Sequence, residues 1–140
     1  MNNKFIIFPN QTTISILHTN QQGDIEKIAK KDIPKNVAYK IVNNLNFLDL
    51  EFLGAYEFDS EHGAKINIEK AKFIFLNKFR EARTPLLQKL DLEYMKADES
   101  GDLELKKQIA AKKQALRDVT KTELPNTLEG IKSTWPDILK

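Results

Sequence analysis

Between Glu69 and Ala97 apolar residues recur at Ala71, Phe75, Phe79, Ala82, Leu86, Leu90, Tyr94 and Ala97, in steps of 4, 4, 3, 4, 4, 4 and 3. That rhythm is one face of an α-helix, and a helix with one apolar face must lay it against another surface. Asn67 reads as the N-cap, its side-chain oxygen accepting from a free N–H of the first turn, and Glu69 suits the positive end of the helix dipole. Gly101 reads as the stop, and Asp102 as the cap of a second helix whose stripe is Leu105, Ile109, Leu116 and Val119. So short a connection predicts an antiparallel hairpin. Pro85 interrupts the pattern. Inside a helix it removes a hydrogen bond and clashes with the preceding turn, but Thr84-Pro85 also reads as N-cap and first helical position. Arm lengths favour a break or kink there: 86–98 would span roughly 20 Å and 103–118 roughly 24 Å. The segment 68–83 would then belong to the N-terminal body or lie beyond the hairpin's reach.

Upstream the composition changes. Residues 1–64 hold 6 Lys/Arg against 8 Asp/Glu, whereas 65–140 hold 16 against 12. The first part carries the short β-branched and aromatic runs Phe5-Ile6-Ile7-Phe8, Ile14-Ser15-Ile16-Leu17, Tyr39-Lys40-Ile41-Val42 and Leu50 to Phe58, which read as strands. Pro9-Asn10-Gln11-Thr12 is a turn signal that makes the first two runs a hairpin. Gln21-Gln22-Gly23-Asp24 and Ser60-Glu61-His62-Gly63 are further loops. At the other end, Thr127 reads as a cap before a short helix from Leu128 to Thr134, and Trp135, Ile138 and Leu139 predict a tail that packs back on the helices. The expected class is α+β: a small antiparallel β domain over 1–64, then a helical hairpin with a C-terminal Trp-Pro tail over 65–140.

Several function classes lose support at once. There is no cysteine, so neither a disulfide scaffold nor a cysteine nucleophile or metal ligand is available. No run of about 18 apolar residues predicts a membrane span, and the N-terminus does not resemble a signal peptide. A net charge of +2 does not argue for nucleic acid. The phosphate-loop, dinucleotide, nucleophile-elbow and zincin motifs are missing. His18 ends a strand-like run, and His62 sits in an acidic turn with Asp59 and Glu61. Asp91, Glu93, Asp98, Glu99, Asp102 and Glu104 crowd the hairpin bend, where they read as a solvated tip. The lysines of 106–113 read as a solvated face without aromatics beside them. Arg117 on the second arm could clasp Glu81 or Asp91 on the first, and Arg80, Arg83 and Arg117 could instead contact a partner. The run Phe73-Ile74-Phe75-Leu76 is apolar all round, so the β part or another chain, a second copy included, should cover it. No cofactor is expected.

The C-terminal half carries a resemblance. Lys78-Phe79-Arg80-Glu81-Ala82-Arg83, Leu86-Leu87, Leu90-Asp91, Lys113-Gln114-Ala115-Leu116-Arg117-Asp118 and the closing Trp135-Pro136 resemble the tailed-bacteriophage tail-fibre assembly (tail assembly chaperone) family and related small phage tail proteins. The likeness covers about 78–139. Where that group often has a tryptophan after the leucines, this chain has Leu90-Asp91-Leu92-Glu93-Tyr94. The resemblance implies a non-enzymatic protein that binds tail-fibre or adjacent tail subunits during virion assembly, in the host cytoplasm or on the virion tail. A permanent virion component, in the tail or at the head–tail junction, is the alternative, and a nucleic-acid-binding regulator the third reading. Phe73, Phe75, Phe79, Arg80, Arg83, Arg117 and Trp135 are the candidates, structural first and partner-facing second.

Overall fold

The run Phe5-Ile6-Ile7-Phe8 does not alternate apolar with polar, which implies a strand buried on both faces. In a computed structural model, which describes residues 4–19 and 24–140, that is the central strand. Strand β1 (Lys4–Asn10) pairs antiparallel with β2 (Thr13–Thr19) on one side and β3 (Lys40–Val42) on the other. Ile6 sits opposite Leu17 and Ile41, and Ile7 opposite Ile16 and Lys40. Successive side chains point to opposite faces. Ile7 therefore enters a cluster with Ile14, Leu48, Tyr56 and Ala64, while Ile6 packs with Ala29 and Ile33. The hairpin turn is Gln11-Thr12, with Gln11 at φ 55°.

Ala29 belongs to helix α1 (Ile25–Asp32), which the sequence reading did not assign. Asp24 caps it by accepting from the Glu26 N–H at 3.0 Å. Gln21 to Gly23, read as a loop, lie outside the described residues. A second correction concerns Leu50 to Phe58. Only Tyr56–Asp59 is a strand (β4), paired with β5 (Gly63–Ile66). Leu50–Ala55 winds into a 3-10 helix, started by Asp49, whose carboxylate accepts from the Glu51 N–H at 3.1 Å. The winding turns Phe52 and Ala55, three residues apart, into the core together. The first hairpin and the Ser60 to His62 turn lie where the sequence places them, whereas β5, which completes the second hairpin across that turn, was not assigned from the sequence. Gly63 holds φ 95°, and a Cβ there would meet Ile7 Cδ1 at 3.0 Å.

Helix α2 (Ile68–Glu99) begins as expected, with Asn67 Oδ1 accepting from the Lys70 N–H at 3.3 Å. Contrary to expectation it runs unbroken through Pro85. The hairpin arms are nonetheless as read. Gly101, at φ 71°, ends α2 with Asp102 N–H donating to the Ala97 carbonyl and Gly101 N–H to that of Asp98, a pattern that uses the last free carbonyls. Asp102 then caps α3 (Leu103–Asp118), accepting from the Leu105 N–H at 3.0 Å. Two ion pairs tie the arms in antiparallel order, Lys106–Asp98 at 2.7 Å and Lys113–Asp91 at 2.5 Å. Beyond α3 the tail returns to α2. Lys72 Nζ donates to Asn126 Oδ1 at 2.7 Å. Thr127 caps α4 (Leu128–Lys132) through the Gly130 N–H at 3.1 Å. Trp135 then lies edge-on to Phe75 and Phe79, with ring centroids 5.9 and 5.3 Å away. Pro85 thus sits in a helix held on both sides of it, by the tail before and by α3 after, and that packing offsets the roughly 3 kcal/mol cost of an internal proline.

The architecture is α+β. The chain divides into two units, Met1–Ala71 and Lys72–Lys140, and α2 crosses the boundary. No helix among the described residues is long and apolar enough to cross a membrane.

Candidate functional site

The seven candidates separate into two groups. Phe75 and Phe79 are buried, their rings edge-on at 5.1 Å, and with Trp135 they form an aromatic cluster that fixes the tail to α2. Edge-to-face rings attract through opposed quadrupoles, which adds to the area they bury. Phe75 and Phe79 are interior, and Trp135 is half-buried over them. Phe73, two positions before Phe75 and therefore turned about 160° away on a helix, is 61% exposed.

Arg83 explains how the helical arms close at their open end. Its Nη1 donates to the Arg117 carbonyl at 2.9 Å and lies 3.4 Å from that of Leu116. Those carbonyls belong to the negative end of α3, where a cation is favoured, and the Thr120 hydroxyl also donates to that of Arg117 at 3.3 Å. The clasp expected of Arg117 therefore runs the other way: Arg83 reaches from the first arm, and Arg117 contributes its backbone oxygen. Lys113, not Arg117, pairs with Asp91. The side chain of Arg117 stays exposed, as does Arg80, whose Nη1 donates to Asn77 Oδ1 at 2.5 Å. Phe73 and Arg80, seven residues apart, share one side of α2. The structure thus leaves Phe73, Arg80 and Arg117 at the surface and commits the other four to packing.

The titratable groups are used locally. His62 Nδ1 lies 2.9 Å from Asp59 Oδ2 in the β4–β5 turn. That bond holds Asp59 below the usual carboxylate range and raises His62 above the ordinary imidazole value. His18 stacks on its cross-strand partner Phe5 with centroids 4.7 Å apart. Lysines neutralise two carboxylates of the bend, and Lys106 and Lys113 also stand 5.4 and 5.5 Å from the Tyr94 ring centroid. Asp118 accepts from Gln114 and pairs with Lys121, which keeps its carboxyl low. Among the described residues no group of three or more His, Asp or Glu side chains is placed to hold a metal ion.

One feature escaped the sequence reading. On the flank of the hairpin opposite Asp91 and Lys113, a groove of about 450 Å³ is lined by Leu86, Lys89, Leu90, Glu93, Lys112, Leu116 and Ile138. Ile138, one of the tail residues expected to pack back on the helices, borders the groove and is 40% exposed. The signal was present in the closely spaced Leu86 and Leu90. A two-helix hairpin cannot by itself bury both apolar stripes, and what the sequence did not show is that the uncovered part forms a groove bordered by Ile138 of the tail. No family model, curated protein or solved structure matches this chain.

Proposed function

We propose that this protein is a non-enzymatic bacteriophage tail protein that binds a tail-fibre or adjacent tail subunit during virion assembly, with the Phe73–Arg80 side of α2 as the contact. The observation that carries the contact is the exposure of Phe73, a large aromatic side chain, on the same side of the helix as Arg80. Aromatic and arginine side chains dominate the energetics of protein interfaces. The arginines at 80 and 117 select a partner surface with carboxylates, which guanidinium groups grip in bidentate fashion. The assignment to phage tails rests on the resemblance over 78–139.

Co-expression with the neighbouring genes of the source genome, followed by pull-down, tests the reading. A tail subunit is expected to be retained. The double substitution Phe73→Ser, Arg80→Ala should weaken its retention by about 30-fold, the effect of losing one hot-spot side chain, without altering the circular dichroism spectrum. Recovery of no tail subunit, or undiminished binding by the variant, overturns it. Mass spectrometry of purified particles distinguishes an assembly chaperone, absent from the particle, from a permanent component at fixed copy number.

A further inference from the structure

We propose that the groove between Leu86, Leu90, Leu116 and Ile138 is the seat of a second copy of this chain, so that two helical hairpins pack groove to groove as a symmetric dimer. The two flanks of one hairpin differ in a way that points there. On the Tyr94 flank, Asp91 and Asp98 are each matched by a lysine of α3, at 2.5 and 2.7 Å. That flank is finished within the monomer. On the other flank, Lys89, Glu93 and Lys112 border the half-buried Leu86 and Leu90 and the exposed Ile138, and none of the three has an ion-pair partner among the described residues. Leu105, 41% exposed, lies seven residues before Lys112 on the same side of α3 and extends the apolar strip.

The mixture of charges identifies the occupant. An acidic helix laid in this groove would meet Lys89 and Lys112 but oppose Glu93. A basic helix would do the reverse. A two-fold axis brings the same patch against itself, and such an interface must be self-complementary. Each copy then offers one carboxylate to the partner's lysines and receives the same in return, with leucine and isoleucine sealed between. The product is a four-helix arrangement, in which each hairpin covers the face that its own two helices leave open. The inference stands independently of the phage reading, because it uses a different side of α2 from Phe73 and Arg80.

Light scattering of the full chain in line with size exclusion tests it. At concentrations of about 100 μM the wild type is expected at twice its 16.1 kDa chain mass, an affinity within the ordinary range for a small interface. Glu93→Lys should weaken self-association by about 10-fold or more, and so should the double variant Lys89→Glu, Lys112→Glu, since each leaves like charges facing across the axis. Mixed in equal amounts, the two variants should recover a dimer, because each now presents what the other lacks. Ile138→Asp, at a partly exposed position, should also yield monomers. Circular dichroism of every variant is expected to match the wild type. A wild type that is monomeric at that concentration overturns the proposal. So does a dimer that all the substitutions leave intact, or a mixture of charge variants that stays monomeric.

Discussion

A Cβ built on Gly130 would lie 2.8 Å from both Pro125 Cγ and Thr127 Oγ1. The atoms in the way are a ring and the hydroxyl that caps α4, so neither can swing clear without loss. Gly130→Ala is expected to cost about 1–3 kcal/mol, the usual penalty of overpacking, and to lower the thermal midpoint by several degrees in a calorimetric scan. His62 offers a test of a different kind. Its bond to Asp59 raises its proton affinity, with Glu61 adding in the same direction and Lys40 opposing. A raised histidine contributes stability fully present below its unfolded value, near 6.5, and lost as pH rises through its folded value. The lowered Asp59 contributes above its own unfolded value, near 3.9, and loses that contribution as pH falls through its folded value. The pair therefore supports the turn most between those two limits. An NMR titration should place His62 above the ordinary midpoint in the wild type, and Asp59→Asn should bring it down. An unchanged midpoint in the variant would mean the bond does not form in solution. At this scale the sequence showed the right participants but not always their roles. The Asp59–His62 turn was legible because three polar letters stand together. Arg83 was nominated, but its partners are backbone carbonyls at the end of α3, which no letter in a sequence marks, so the charged side chains nearby drew the clasp instead.

Helix α2 carries its proline on an exposed position, and Thr84 Oγ1 donates to the Arg80 carbonyl at 2.8 Å in the turn just before it. Nothing about the surface role of residue 85 requires proline, so Pro85→Ala should restore a backbone donor and relieve the clash with the preceding turn. The expected outcome is a gain of about 1–3 kcal/mol, read from urea midpoints. A loss would show that the proline sets a bend on which the tail or α3 depends. The same element holds the closure of the hairpin. Arg83→Met keeps the apolar stem and removes the guanidinium. Amide exchange at the last turn of α3 and at Val119 to Lys121 should then accelerate, while the turn at Gly101 remains protected. Elements with a long regular period were readable: the stripe from Ala71 to Ala97 landed on one helix, and Asn67, Asp102 and Thr127 cap where their side chains suggested. Shorter elements were not. Leu50 to Phe58 is rich in strand formers, yet the capping carboxylate of Asp49 and the three-residue spacing of the buried Phe52 and Ala55 wind its first half. Eight residues of α1 passed unread because so short a pattern, Ile25, Ile28 and Ala29, gains its meaning only from Ile6 beneath it.

Each of the two units carries packing of its own, and that has a measurable consequence. Ile6 and Ile7 centre the packing of Met1–Ala71 on the two faces of one sheet, whereas the rings of Phe75, Phe79 and Trp135 join α2 to the tail in Lys72–Lys140. The composition shift near residue 64 follows the elements, since a sheet buried on both faces draws β-branched residues and a helical hairpin draws lysine and glutamate. The continuous α2 is the backbone link between the units, and a helix shared by two units can transmit unfolding from one to the other. Division into two compact units nevertheless predicts transitions that do not coincide, because cooperativity is strongest within one compact unit. The chain has one tryptophan, so its fluorescence is a probe placed in the second unit, while amide exchange at Ile6 and Ile7 is a probe placed in the first. Gly63→Ala is the discriminating variant. It strains a residue at φ 95° and pushes a methyl to 3.0 Å from Ile7 Cδ1, so it should destabilise the first unit by about 1–3 kcal/mol. Exchange at Ile6 and Ile7 should speed up by at least about 5-fold, the factor that 1 kcal/mol represents. The denaturant midpoint of Trp135 fluorescence should stay where it was. If that midpoint instead falls in step with the exchange, α2 couples the two units into one cooperative body, and a partner binding either unit would stabilise both.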